Sequence, residues 1–461
     1  MNYIVSIGLE IHIALNVDYK AFSPEKVNDS SWVSLGFPGT LPVLNLEAVK
    51  KTVILSKALN ANVNYENISF DRKNYFYYDL PRGYQITQFF NPIGQGGFLS
   101  VGNRKITLKQ IHMEEDTAQQ FKHGHEVRLS FSRLGRALAE VVTNPDFRNY
   151  EEIEIFLRQL RRICHFFNIS SASYEEGKMR IDLNVSLRRN KEDPLSVKSE
   201  VKNLNSLFAL KNALEYLIKL QSEALDRGEE MEGYTYAWVE KLKKCEIMRK
   251  KNTTREYFYI PEANIPSLRF TKEEYEGMVN EIFWNLDFLK EELVQGGLKD
   301  SEADYLLDNY EIFKCVNKIN EKLQNLRSSY NWIVNIASGF LNSGEDLPYD
   351  EVEKVVVQTE LKKDISLRIA KDLLKEIIVN KASYKNAVRK LKPAELSDDE
   401  TISALVESSF ELYKDQLPKL MENPSKLERL IIGECMKKSK GQANPLKTKQ
   451  FFEKILERYK I

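Results

Sequence analysis

Val5-Ser6-Ile7-Gly8-Leu9-Glu10-Ile11-His12-Ile13 places an aliphatic residue at every odd position. A period of two is the signature of a β-strand with one buried face. Met179-Arg180-Ile181-Asp182-Leu183-Asn184-Val185-Ser186-Leu187-Arg188 alternates in the same way without a break. Strands of this kind give one face to a core and the other to solvent or to a site, as antiparallel sheets do. Working outward, the spacing predicts helices from Tyr150 to about Phe167 and from Ser206 to about Arg227. Strands grouped with helices, without strict βαβ alternation, indicate an α+β class.

Past about residue 290 glycine thins out and Lys, Glu and Leu dominate. Ser397-Asp398-Asp399-Glu400 has the spacing of a capping box, and Asn423-Pro424 and Asn444-Pro445 each set a capping Asn before a Pro. Gly441 ends the helix between them, so the last segment reads as a three-helix unit. Charge divides within it: from Glu395 to Glu422 there are eight acidic and two basic residues, and from Lys426 to Ile461 ten basic and four acidic. Two readings follow. The helices attract each other, or the basic part, densest at Lys437, Lys438 and Lys440, faces phosphates.

The 461 residues carry 67 acidic and 67 basic groups, a balance that does not mark a nucleic-acid binder as a whole. No apolar stretch approaches the roughly 18 residues of a membrane span, and the start of the chain lacks the features of a signal peptide. The four cysteines, Cys164, Cys245, Cys315 and Cys435, are far apart and form no C-x-x-C pair, which fits a reducing cytoplasm. There is no phosphate loop of the G-x-x-x-x-G-K type, no dinucleotide fingerprint and no G-x-S-x-G. Release of ammonia from glutamine by a nucleophile therefore has no home in this chain.

Candidate chemistry lies elsewhere. Glu10 and His12 are two apart on one strand and share a face, where they could bind a divalent cation or form a polar strand face. His112-Met113-Glu114-Glu115-Asp116 crowds three carboxylates, which repel unless a cation lies between them or water solvates them. Glu140 is a lone charge in the apolar run Leu138-Ala139-Glu140-Val141-Val142 and calls for a partner or a metal. Asp71-Arg72-Lys73-Asn74-Tyr75-Phe76-Tyr77-Tyr78 combines cations that hold phosphates with rings that stack on a base, or forms a tyrosine-rich core edge.

In order along the chain, these segments resemble the B subunits of the aspartyl/glutamyl-tRNA amidotransferases. The match runs through Ile7 to His12, Phe37-Pro38-Gly39-Thr40-Leu41-Pro42, Phe70 to Tyr77, Gly83-Tyr84-Gln85-Ile86, Ile111 to Asp116, Glu175-Glu176-Gly177, Lys202-Asn203-Leu204-Asn205-Ser206 and Lys440-Gly441-Gln442-Ala443-Asn444-Pro445. The resemblance implies a cradle domain akin to glutamine synthetase and guanidino kinases over residues 1–292, a helical domain over 293–396 and a YqeY-like tail over 397–461. It implies ATP and Mg²⁺ as cofactors. It implies an amidase A subunit and a small C subunit as partners in a heterotrimer, and mischarged Glu-tRNA(Gln) or Asp-tRNA(Asn) as substrate. The positions that match the family's metal site are Glu10, His12, Glu115 and Glu140. Lys73 and Tyr75 match positions beside the nucleotide, and Arg180, Asp182 and Asn184 share one strand face for the same pocket. No zinc is expected, because residues 22–37 hold none of the four cysteines that many members carry there.

One segment departs from the family. Ser130, Ser132 and Ala137 stand where an Asp, an Asn and a Pro are usual, while Arg133, Gly135 and Glu140 remain. This leaves a catalytically weakened tRNA-binding scaffold as the alternative to an active enzyme component. A kinase for a free amino acid is the third reading.

Overall fold

The computed structural model describes residues 3–29, 32–123, 126–190, 192–193, 195–229, 233–250, 257–280, 286–341, 345–391, 399–421, 424–439 and 442–458. The chain divides into two compact units, Met1–Leu289 and Lys290–Ile461.

The first unit is built on strands. In chain order they are β1 (Ile4–Ala14), β2 (Asn62–Val63), β3 (Asp71–Asn74), β4 (Tyr84–Thr87), β5 (Gly94–Gln95), β6 (Phe98–Val101), β7 (Arg104–Glu115), β8 (Gln119–His123), β9 (Glu126–Ser130), β10 (Ala137–Thr143), β11 (Met179–Arg188), β12 (Ser199–Leu204), β13 (Tyr234–Val239), β14 (Lys244–Lys250) and β15 (Phe258–Pro261). Ten of them form one sheet in the order β14-β13-β12-β11-β1-β10-β7-β5-β2, with β6 added on β7. The two strands read from sequence, β1 and β11, are neighbours at its centre. The sheet is antiparallel except between β12 and β13. That parallel pair follows from the helix Leu207–Asp226 between them, since parallel strands need a long crossover. A three-stranded sheet, β15-β3-β4, and the β8–β9 hairpin complete the strands.

Alternation sorts the faces. Ile7, Leu9, Ile11, Ile13, Ile181, Leu183, Val185, Ala139, Val141, Ile111 and Met113 all enter one core. Three helices supply the matching layer: α1 (Leu46–Ala58), α2 (Tyr150–Phe166) and α3 (Leu207–Asp226). Each buries an apolar stripe, such as Ile153, Phe156, Leu157 and Leu160 on α2. Each fully buried Leu, Ile or Phe contributes about 1.5–3 kcal/mol, so this face commits the register. Asn149 caps α2 and Ser206 caps α3, each side chain accepting from a backbone N–H three residues on. The opposite face collects what alternation leaves over: Glu10 and His12, Arg180, Asp182 and Asn184, Glu140, His112 and Glu114, Glu200 and Lys202.

In the second unit every described regular element is helical. Its last helices, Asp399–Glu411, Pro424–Lys438 and Pro445–Arg458, share a core of Ile402, Val406, Phe410, Leu427, Ile431, Phe452 and Ile455. Asn444 accepts from the N–H groups of Leu446 and Lys447 ahead of that third helix, as its position before Pro445 predicts. Ser397, Asn423 and Gly441, also read as helix signals, lie outside the described residues. The charge division is used internally: Lys447 pairs with Asp399 at 2.7 Å and Arg458 with Glu407 at 3.5 Å.

Candidate metal centre

Three strands bring the centre together. Within β1–β10, His12 stands opposite Glu140, and within β10–β7, Glu140 stands opposite His112. Cross-strand partners share a face, and Glu114, two residues beyond His112, shares it too. His12, Glu114 and Glu140 converge so that one ligand atom from each lies within 4.8 Å of the others. Nε2 of His12 is 3.5 Å from Glu114 and 3.7 Å from Glu140. Two carboxylate oxygens and an imidazole nitrogen are a donor set that Mg²⁺ or Mn²⁺ accepts.

The four residues named from sequence divide. His12 and Glu140 are at the centre. Glu10 faces the same way but joins a separate group with Asp182 and Glu200. Glu115 is not at the centre, which corrects the expectation. Consecutive strand residues point to opposite faces, so Glu114 takes that place and Glu115 turns under the sheet. There Glu115 pairs with Arg82 and accepts the Ile86 N–H at 2.9 Å. The sequence held the signal, because His112 and Glu114 repeat the two-residue spacing of Glu10 and His12. Gly8, two residues before Glu10 on the strand, faces the backbone of Pro145, 3.7 Å from where a Cβ would stand.

Electrostatics separate the carboxylates. Burial opposes the Glu140 charge, but His112, His12 and Lys73 outweigh it and hold this carboxyl well below the usual range. Burial and the Glu140 charge push Glu114 up, against His12 and Lys73. Burial also raises Glu115, in spite of Arg82. For Lys73, burial works downward, and Glu114, the neighbouring tyrosines and Glu140 together more than offset it, so the ammonium stays charged.

Lys73 reaches the centre from β3. Its Nζ lies 4.5 Å from the centroid of the Tyr257 ring and 5.6 Å from that of Tyr75. Burial raises the Tyr75 hydroxyl far above its ordinary value. Beside them opens a cleft of ≈ 1060 Å³ walled by Tyr75, Tyr77, Phe89, Tyr257, Phe258 and Tyr259. Phe89 stacks on Tyr259 with centroids 4.0 Å apart. The paired contacts of Arg72 with Glu262, at 2.7 and 2.8 Å, fix β3 against the chain after β15.

Arg180 stands opposite His12 and bonds Asp116 at 3.0 Å. Arg133 donates to the carbonyls of Thr117 and Ala118, and Gly135 at φ +75 receives Lys20 against it, so both retained residues shape the rim beside Asp116. Of the replaced positions, Ser130 and Ser132 bond each other at 3.0 Å on an exposed segment and Ala137 is buried in the core. In the second unit, Lys437 is 4.0 Å from Glu434, Lys438 donates to the Ser408 carbonyl at 3.0 Å, and Lys440 lies outside the described residues. Sequence reasoning noted His112 and Glu114 only within a crowded carboxylate run and Lys202 only within a matching segment, and it passed over Glu200.

Comparison with known proteins bears on this arrangement. Residues 5–276 match a model described as the GatB/GatE catalytic domain, and residues 314–456 match one described as the GatB domain. The chain is 36% identical to the B subunit of the aspartyl/glutamyl-tRNA(Asn/Gln) amidotransferase of Mycoplasmopsis agalactiae over 489 aligned residues, 100% of each chain. It is 32% identical to the protein of that name from Ureaplasma urealyticum, covering 99% of this chain and 100% of the relative. The relative from Francisella tularensis subsp. novicida is 31% identical, again over 99% and 100%.

Proposed function

The chain belongs to the GatB/GatE family of amidotransferase subunits, and from this premise we propose that it activates the side-chain carboxyl of Glu or Asp carried on a mischarged tRNA. The substrates are ATP and Glu-tRNA(Gln) or Asp-tRNA(Asn). A carboxylate oxygen attacks the γ-phosphorus of ATP and ADP leaves. Ammonia then attacks the acyl carbon and phosphate leaves, giving the amide. The observation that carries this reading is the convergence of His12, Glu114 and Glu140 beside the charged ammonium of Lys73.

His12, Glu114 and Glu140 would hold the divalent cation, which when bound neutralises phosphate oxygens. Lys73 adds a fixed positive charge at the same place. The aromatic cleft offers ring faces to a base. Arg180 and Asp182 line the polar face that the substrate crosses. With no glutaminase motif here, ammonia comes from an A subunit, and a small C subunit completes the complex. A cradle of the glutamine synthetase and guanidino kinase type over residues 1–292, a helical domain over 293–396 and a tRNA-binding tail over 397–461 belong to the same reading. Four free thiols fit a cytoplasmic protein, and no described helix is long and apolar enough to cross a membrane. The departures at Ser130, Ser132 and Ala137 leave the three ligands in place, which favours an active enzyme component over a weakened scaffold.

The test is reconstitution with purified A and C subunits, γ-labelled ATP and either Glu-tRNA(Gln) or Asp-tRNA(Asn). Labelled acyl phosphate, followed by amide on addition of glutamine, is the expected result. Tight tRNA binding with no labelled intermediate and no amide from either tRNA would replace the enzyme reading with the scaffold.

A further inference from the structure

The walls of the cleft beside Lys73 stand largely in water. Phe258 is 70% exposed, Phe90 52% and Phe89 47%. A patch of apolar rings left open in this way marks a binding surface. The rings are also held in place. The carboxylate of Asp71, itself buried, accepts the N–H groups of Phe89 at 2.7 Å and Phe90 at 3.0 Å. Asn74 on β3 donates from Nδ2 to the Phe258 carbonyl at 2.9 Å. Phe89 lies nearly parallel to Tyr259, with 13° between the ring planes. The wall thus presents flat faces on a fixed backbone.

Two substrates carry a base to this place: ATP, and the unpaired 3′ end of the tRNA. Small-molecule sites enclose most of their ligand, in cavities of about 300–1,000 Å³, and set polar groups against its edges. This cleft, at ≈ 1060 Å³, is at the top of that range and open to solvent. Its described lining residues include no charged side chain and one amide, Asn74. The Nδ2 of that amide is engaged by the carbonyls of Arg72 and Phe258. Exposed rings without groups that read base edges suit single-stranded RNA, whose bases stack on aromatic side chains with little regard to sequence. Every tRNA ends in the same unpaired nucleotides, so ring faces are enough.

The cleft also leads to the reaction. Tyr75 and Tyr257 belong to its wall and flank the Lys73 ammonium. Lys73 in turn lies close enough to Glu114 and Glu140 for their charges to act on it. A terminal nucleotide on the rings would therefore carry its aminoacyl group toward the metal centre. We propose that Phe89, Phe258 and Tyr259 form a stacking platform for the unpaired 3′-terminal nucleotides of the substrate tRNA, with the ATP base held elsewhere. This assignment rests on the tRNA reading above, and gives the cleft to one of its two base-bearing substrates.

The test uses the full-length chain assembled with its A and C subunits, and tRNA(Gln) or tRNA(Asn) with 2-aminopurine as its terminal base. Stacking quenches that fluorophore, so deacylated tRNA without ATP reports on the platform alone. Quenching is expected in the parent and in Phe89→Tyr, which keeps the ring. Phe89→Leu and Phe258→Leu keep apolar bulk and lose the flat face, with circular dichroism to confirm their folding. Each should lose most of the quenching and raise the KM for aminoacylated tRNA by about tenfold or more, with the KM for ATP unchanged. Full quenching in both Leu variants would overturn the platform. So would a raised KM for ATP beside an unchanged KM for tRNA, which gives the cleft to the ATP base. Acyl phosphate formed by a parent complex that leaves the fluorophore bright would sink the platform and spare the proposed function. Quenching in a parent that forms no acyl phosphate from either tRNA would do the reverse.

Discussion

Nε2 of His112 lies 3.1 Å from Oε2 of Glu140, and the Gln110 amide closes on the other ring nitrogen at 3.2 Å. With Gln110 donating, Nδ1 accepts and Nε2 carries the proton that Glu140 receives. Glu140 is therefore fixed by a neighbour on its own sheet face, as metal-binding carboxylates are in well-ordered sites.

Glu140→Gln removes a charged ligand and keeps its shape. The fold should survive, and ATP-dependent activation of Glu-tRNA should fall by about 10²-fold or more, the scale of losing a contact worth roughly 3 kcal/mol. Trapping the labelled acyl phosphate measures it, and activation at the parent rate would remove Glu140 from the centre.

Glu114 and Glu115 are neighbours in sequence with opposite expectations. Glu114→Gln should weaken Mn²⁺ binding at the His12 centre. Glu115→Gln should leave it nearly unchanged, since that side chain serves Arg82 and the Ile86 N–H. Calorimetric titration of both variants decides, and a larger loss in Glu115→Gln would contradict the geometry.

The metal-free chain should lose stability as pH rises. Burial alone would lower the His112 pKa, but Glu140 outweighs it and raises it above its ordinary 6.5. Glu114 is raised from 4.5 by burial and by Glu140. Groups raised on folding stabilise fully below their unfolded values and lose that contribution as pH climbs through the folded ones. Glu140, depressed instead, gives its contribution above 4.5 and loses it on acidification. Between about pH 5 and 8 the net slope of the melting temperature should be downward, and saturating Mg²⁺ should flatten it. A rising slope without metal would count against this cluster.

In the tail, Lys437 and Lys438 should behave differently. Lys437→Ala should reduce tRNA affinity and lower the slope of log K against log salt by roughly 0.7–0.9, one phosphate contact. Lys438 bonds Ser408 at 3.0 Å, so Lys438→Ala should also lower the tail's melting temperature. Filter binding at two salt concentrations and thermal melts separate the two, and equal tRNA affinity in Lys437→Ala and the parent would end this assignment.

The isolated chain should not use glutamine as a nitrogen donor, and should amidate with free ammonia, ATP and Mg²⁺. Glutamine-dependent amide formation by the chain alone would show that the roles are assigned wrongly.

The sequence by itself determined the alternating strands β1 and β11, the helices α2 and α3, the cap at Asn444 and the family. Periodicity and capping are local properties that ten or so consecutive residues express in full. It also singled out Glu10, His12, Lys73 and Glu140 as chemistry-bearing. Only the tertiary structure decided how these combine. Which carboxylate of Glu114 and Glu115 meets His12 depends on the pairing of β7 with β10, since a shift of one residue exchanges the two faces. Placing Glu10 with Asp182 and Glu200, apart from His12, needed the register across β1, β11 and β12 at once. Whether Lys447 and Arg458 face Asp399 and Glu407 or a phosphate was likewise open until the helices packed, because charge along a chain sets what attracts but not which neighbour comes within reach.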